Sequence, residues 1–397
     1  MPFGIGLAEQ AGVRIHLVAS VLAAGVVVSV SHTAVAAPKL DYIWGGNGGG
    51  TTVFIHGHGN CIGGNGADSR CTGDARGYWL NSTNDGGDGH DLMGEATSKC
   101  TASGCSMACS SSGCSTLTYS GTWTWAEAFA IRYDGVNQTM AGAANDVANC
   151  LRDLQNGTNS SGCNPSLYKR SSFRVVAHSE GGAILDRIMS LPGSVGAGLS
   201  STGGAIIGNP VTLAGALAGS RAASALYGVD GASNFCTSLV SWLAGWALKD
   251  TGNATLTRGA MIGEANNGRA GKSGRWIYKV TTSGGSGSVN NNNASSISES
   301  VNDTSMGVLV GCVGYSADDD TDGVVWSYDS DPTSSTSTSN GGKYRAQWTG
   351  YYWHWVASWA NHSHNRNDAY VKKYGFQNYS GCYGNYSPGT CVGQYAM

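Results

Sequence analysis

Phe173-Arg174-Val175-Val176 is an apolar, β-branched run that passes without a spacer into Ala177-His178-Ser179-Glu180-Gly181-Gly182, and from there into Ala183, Ile184, Ile188 and Met189 at helical spacing. A strand that becomes a helix this abruptly must turn sharply, and small residues are needed where its backbone crosses its neighbours. Ala177, two residues before Ser179, and Gly181, two after it, meet that need. A serine at such a turn is held out of the sheet with a helix N-terminus behind it, where developing negative charge is stabilised. The competing reading is an ordinary N-cap serine. The short pattern is common by chance, and its place directly between a β-branched strand and a helix is what favours a nucleophile.

The rest of the chain repeats the alternation. Thr52-Val53-Phe54-Ile55 reads as a buried strand with the glycine-rich exit His56-Gly57-His58-Gly59, and Ala128 to Tyr133 reads as a second strand. A helix follows, with Ala144, Val147, Ala148, Leu151 and Leu154 on one face and Asn156-Gly157 as its stop. Val211 to Ala214, Trp276 to Val280 and Val308 to Val313 are further strand candidates. This order predicts an α/β fold, a mostly parallel sheet with helices on both faces, in one domain from residue 41 to residue 397. Two stretches interrupt it: a Cys/Gly/Ser-rich insertion over 60–120 and a Ser/Asn/Gly-rich loop over 283–305. The apolar segment Phe235 to Leu248 reads as a lid or pocket helix, or equally as a sheet-covering one.

Charge excludes one class of partner. With 23 basic and 26 acidic residues and a net charge of -3, no cationic excess exists to neutralise phosphates, so no nucleic-acid partner is expected. Residues 1–36 read as a secretory signal peptide, an apolar stretch from Ile15 to Val30 behind Arg14 that ends in Ala34-Val35-Ala36. Secretion is therefore expected, with no stable membrane span after cleavage. The 12 cysteines all follow that site, an even number in an oxidising compartment. Cys100, Cys105, Cys109 and Cys114 lack the C-x2-C spacing that grips zinc, so disulfides are expected instead. Most of Cys61, Cys71, Cys100, Cys105, Cys109 and Cys114 are expected to pair within the insertion, and Cys382 with Cys391 in the tail.

Two motifs together, the strand-borne His56-Gly57 and the Ala-His-Ser-x-Gly elbow at Ser179, resemble those of the α/β-hydrolase superfamily, and within it of secreted bacterial lipases and esterases. The strand Val211-Thr212-Leu213-Ala214-Gly215 and the later Gly219-Ser220 are similar to the family's strand after the elbow, with Ala216-Leu217 in place of its Pro-His. The resemblance spans about 51 to 375 and matches nothing in the cysteine-rich insertion. It implies an α/β-hydrolase fold and an ester or lipid substrate. It also implies an oxyanion hole made by the backbone N–H groups of His58 and Glu180, their side chains taking no part.

A serine needs a base, and the base needs a carboxylate to fix its tautomer. The family's order is serine, acid, histidine. The acid should follow a late strand, and the run Asp318-Asp319-Asp320-Thr321-Asp322-Gly323-Val324-Val325 follows Val308 to Val313; the family's Asp-Gly-hydrophobic-Val turn singles out Asp322. Asp318, Asp320, Asp322, Gly323 and Asp329 also carry the spacing of a calcium loop, although strands rather than helices flank it and Asp replaces the terminal Glu. No cofactor is expected, and a structural calcium held by this loop is the competing reading. The loop Asn361-His362-Ser363-His364 resembles the family's histidine loop, with His362 preferred to His364 as base, and His354 in its aromatic stretch reads as structural. These residues would make a serine carboxylic-ester hydrolase. Two alternatives stay open: a non-catalytic secreted binding protein on the same scaffold, and a polyester depolymerase, acyltransferase, amidase or peptidase with the same triad.

Overall fold

Apolar runs without polar alternation become the centre of the sheet. The computed structural model describes residues 37–44, 51–59, 78–79, 106–110, 113–118, 127–190, 199, 207–213, 215–220, 223–224, 227, 254–257, 260–261, 276–283 and 351–358. The chain divides into two compact units, Met1–Ala34 and Val35–Met397, and every described residue belongs to the second. Its strands are β1 (Lys39–Trp44), β2 (Thr51–Ile55), β3 (Ser106–Ser110), β4 (Gly113–Thr118), β5 (Glu127–Arg132), β6 (Phe173–His178), β7 (Ile207–Leu213), β8 (Trp276–Ser283) and β9 (Tyr351–Ser358). Helix α1 covers Met140–Asn156 and α2 covers Glu180–Ser190.

Among the described residues seven strands form one sheet in the order β1-β5-β2-β6-β7-β8-β9. β1 is antiparallel to β5, and every other pairing in this sheet is parallel. β2 lies beside β6, in the register Thr52 to Arg174 through Ile55 to Ala177. The two strands that carry the His-Gly and Ser179 motifs are therefore neighbours, and both motifs emerge at the carboxyl edge, where open α/β sheets place their ligand sites.

Side chains alternate across the sheet. Val53, Ile55, Phe129, Ile131, Val175 and Ala177 join the core formed with Ala144, Val147, Leu151 and Leu154 of α1 and Ile184 and Ile188 of α2. Phe54 and Val176, on the opposite face, are also fully buried, Phe54 against Trp79. Burial on both faces explains why these strands read as continuous apolar runs.

α1 starts at its N-cap Thr139, whose hydroxyl accepts the N–H of Gly142 at 3.1 Å. It ends at Gly157, left-handed with φ 69°, as Asn156-Gly157 predicts. The chain then doubles back, and a disulfide joins Cys150 of α1 to Cys163. The carbonyl of Cys163 accepts the N–H of Leu40 at 2.9 Å, which ties β1 to the same corner.

Several elements depart from the sequence reading. β7 begins at Ile207, four residues before the expected Val211, because Asn209 and Pro210 fall in a register shift against β6 that lets a proline sit in an interior strand. β1 was not expected, since Lys39 and Asp41 break its apolar pattern; Asp41 pairs with Arg132 of β5 at 2.8 Å. β3 and β4 make a hairpin inside the cysteine-rich insertion, and its register sets Cys109 opposite Cys114. β9 occupies the aromatic stretch around His354 and pairs with β8 from Trp276–Tyr351 to Ser283–Ser358, so no strand enters between them. The expected strand over 308–313 and the helix over 235–248 lie outside the described residues, as do residues 1–36 and the 283–305 loop beyond Ser283. Among the described residues no helix is long and apolar enough to cross a membrane.

Candidate active site

Ser179 stands between the last residue of β6 and the first of α2, with φ 57°, a left-handed backbone that non-glycine residues adopt at a cost of about 1–3 kcal/mol. An N-cap serine has no use for that conformation, because an N-cap sits in the extended region; Thr139, capping α1, shows φ -67° and ψ 155°. The backbone conformation thus separates the two sequence readings of Ser179 and favours an elbow.

The surroundings hold that turn in place. The Ser179 N–H donates to the Leu213 carbonyl at 3.0 Å, and the Ser179 carbonyl accepts from Gly182 at 3.0 Å and Ala216 at 3.1 Å. The exit of β7 therefore clamps the elbow from one side. On the other side β2 presses directly on α2: a Cβ added to Gly181 would collide with the His56 carbonyl and lie 2.7 Å from that of Ile55. A Cβ on Gly182 would lie 2.5 Å from the Cα of Gly215. These glycines are set by closeness of approach, since neighbouring backbone cannot move aside as a side-chain tip can. Gly181→Ala is accordingly expected to lower stability by about 2 kcal/mol or more. Gly142→Ala in α1, where the added methyl meets only the amide oxygen at the tip of the Gln138 side chain at 3.0 Å, should be neutral or gain about 0.5–1 kcal/mol. Urea midpoints of the two variants give the comparison, and equal midpoints would contradict the close packing at the elbow.

The His-Gly motif after β2 is built around a histidine with a structural task. Tyr133, at the end of β5, stacks on His56 with ring centroids 4.0 Å apart. Its hydroxyl donates to the carbonyls of His56 at 2.8 Å and Gly57 at 3.1 Å. Its own N–H donates to His56 Nε2 at 3.3 Å, so Nδ1 carries the hydrogen and donates to the Gly57 carbonyl at 2.6 Å. Burial, then the nearby Glu180, Tyr78 and Asp134, pushes the Tyr133 phenol well above its usual range, which keeps it a neutral donor. The turn after β2 is thus shaped from inside.

His58 and Glu180, both assigned to the oxyanion hole by resemblance, are brought together. His58 Nδ1 donates to Glu180 Oε2 at 3.0 Å, with the Glu180 side chain wholly buried and that of His58 15% exposed. Gly135 leaves room for the carboxylate, since a Cβ there would lie 2.6 Å from Oε2. Its N–H donates to the Gly59 carbonyl at 2.9 Å, while the Asp134 carboxylate orders the same loop by accepting from Val136 at 3.0 Å and Asn137 at 2.9 Å.

One neighbour of Ser179 had no sequence signal. Tyr78, from within the cysteine-rich insertion, hydrogen-bonds His178 Nδ1 at 2.5 Å. A Cβ added to Gly57 would lie 2.6 Å from its hydroxyl and 2.8 Å from Ser179 Cβ, so the phenol borders Ser179. Tyr133 and Gly135 were also missed, although both sit at or just after the carboxyl end of a strand, a position that marks them. Asp322, His362, His364 and the Asp318 to Asp329 calcium loop lie outside the described residues, as do Cys61, Cys71, Cys100, Cys105, Cys382 and Cys391.

No family model matches the chain and no curated protein matches it. Among solved structures it is similar to a Bacillus licheniformis lipase in its mature form, at 12% identity over 84% of this chain and 94% of that one, with a TM-score of 0.44. The propeptide form of the same lipase matches at 12% identity over 84% of this chain and 51% of that one, TM-score 0.42. A lipase-esterase related protein from Clostridium acetobutylicum matches at 11% identity over 62% of this chain and 79% of that one, TM-score 0.27. These likenesses leave the chemistry to be read from the site itself.

Proposed function

We propose that this protein is a secreted serine hydrolase that cleaves carboxylic esters, lipids among them, through an acyl-enzyme, with Ser179 as nucleophile, His362 as base and Asp322 as the acid that orients it. The observation that carries this reading is the left-handed backbone of Ser179 at a strand-to-helix junction on the carboxyl edge of a parallel sheet. Strain at such a point persists only where the surrounding structure imposes it.

Chain length allows a base from the loop after β9, His362 and His364 alike. β9 runs parallel to β8 and ends at Ser358, so it delivers the chain to the same edge as β6. His362 follows Ser358 by four residues, a reach of about 14 Å. Three strand spacings separate β9 from β6, also about 14 Å.

In the proposed reaction Ser179 Oγ attacks the ester carbonyl while His362 takes its proton. The same imidazole then gives that proton to the leaving alcohol, and a water activated by it hydrolyses the acyl-enzyme. The N–H groups of His58 and Glu180 hold the oxyanion, each contributing about 3 kcal/mol. A fluorophosphonate probe should label the disulfide-intact protein at Ser179, mapped by peptide mass spectrometry. A panel of p-nitrophenyl esters of increasing acyl length would then set the preferred substrate. Folded protein that takes up no label and turns over no ester would favour the secreted binding protein instead.

A further inference from the structure

We propose that the His58 and Glu180 side chains form a clasp that fixes the spacing of the two backbone N–H groups of the oxyanion hole, making both side chains positioning groups; this rests on the hydrolase reading above. The residue after the nucleophile need offer only its N–H, so its side chain is free to vary. Here it is a carboxylate with no exposure to solvent. Burying that charge is costly unless donors meet it, and one that does is the imidazole of the other oxyanion residue, 122 positions away in the chain.

Three of the strand exits at the site converge on this pair. β2 supplies His58, β6 leads into Glu180, and the loop after β5 supplies Gly135, whose missing side chain admits Oε2 and whose N–H holds the Gly59 carbonyl. Tyr133 fixes His56 and Gly57 from the same side. The turn after β2 is thereby shaped by β5 and packs directly on the nucleophile's helix at Gly181, and the His58 imidazole adds a side-chain link between the two residues that offer the N–H groups. A bare carboxylate beside a forming oxyanion would raise its energy, and the hydrogen directed at Oε2 offsets that charge. Preorganised donors stabilise a transition state because they need no rearrangement as charge develops, so a loosened clasp should weaken transition-state binding more than substrate binding.

Steady-state kinetics on the best p-nitrophenyl ester test the clasp. His58→Ala should lower kcat about tenfold, less than the loss of a whole oxyanion donor, with KM changed by less than about twofold. His58→Asn, whose amide nitrogen can take the place of Nδ1, should recover most of that loss. Glu180→Gln, which keeps an acceptor, should lose less than Glu180→Ala, and His58→Ala combined with Glu180→Ala should be no slower than the slower single variant. If Glu180→Ala does not fold, the His58 pair alone decides, because that side chain is partly exposed. An unchanged kcat in His58→Ala, or a loss that asparagine does not recover, overturns the clasp while Ser179-dependent turnover stands. Wild-type protein with no Ser179-dependent turnover overturns the hydrolase reading and the clasp with it.

Discussion

Ser179→Ala lowers ester turnover by about 10⁶-fold in kcat if this serine is the nucleophile, the size of loss that follows from deleting the attacking atom of a serine triad. The substitution removes one oxygen and keeps the Cβ, so the contacts that hold the elbow survive: the hydrogen bonds of the Ser179 backbone with Leu213, Gly182 and Ala216 are untouched. Alanine tolerates the left-handed φ no better and little worse than serine, and the unfolding free energy should change by less than about 0.5 kcal/mol. Activity and stability therefore separate cleanly. Retention of even a hundredth of wild-type turnover, about 10⁴ above the expected residue, would mean that another group attacks.

The second large effect concerns the groups proposed to activate the serine. Asp322→Asn should lower kcat by about 10⁴, because an amide in place of the carboxylate favours the wrong tautomer of the base while leaving the geometry intact. His362→Ala should cost about as much as Ser179→Ala, since nucleophile and base act as a unit. His364→Ala is its partner experiment, and whichever substitution causes the larger loss identifies the base. The calcium reading of the same acidic loop makes a different demand. If Asp322 were a calcium ligand and not the triad acid, Asp322→Asn would lower the unfolding midpoint and cost much less turnover, and chelation of wild-type protein would reproduce the stability loss.

How far the site was legible depends on how local each feature is. The elbow, the His-Gly exit, the α1 stop at Gly157 and the central strands β2, β5 and β6 are readable because each depends on residues a few positions apart: β-branched runs, glycine where a helix ends, and a small residue on either side of a serine. β1, β7 and β9 were misread or passed over where a charged pair, a proline or a cluster of aromatic rings hid the pattern, and pairing with a neighbour decided them. The hydrogen bond between the His58 and Glu180 side chains had no signal in the sequence, because no local pattern encodes it.

From the sequence alone come the chemistry available and the local shape that presents it: an apolar strand must be buried, glycine alone can leave so little space at a crossing, and a serine between strand and helix is held at an edge. Strand order came only from the tertiary structure. Placing β2 between β5 and β6 brings Tyr133 onto His56 across 77 positions and His58 onto Glu180 across 122. It also turns Gly135 into the space a buried carboxylate requires. The Cys150–Cys163 bridge was decided at the same level, because a helix ending at Gly157 folds the chain back on itself, and spacing along the chain does not say which of 12 thiols that return will meet. Local pattern fixes what each segment can be, whereas contacts between distant segments form only when their burial outweighs the entropy of closing the loops between them, a balance struck by the whole core at once.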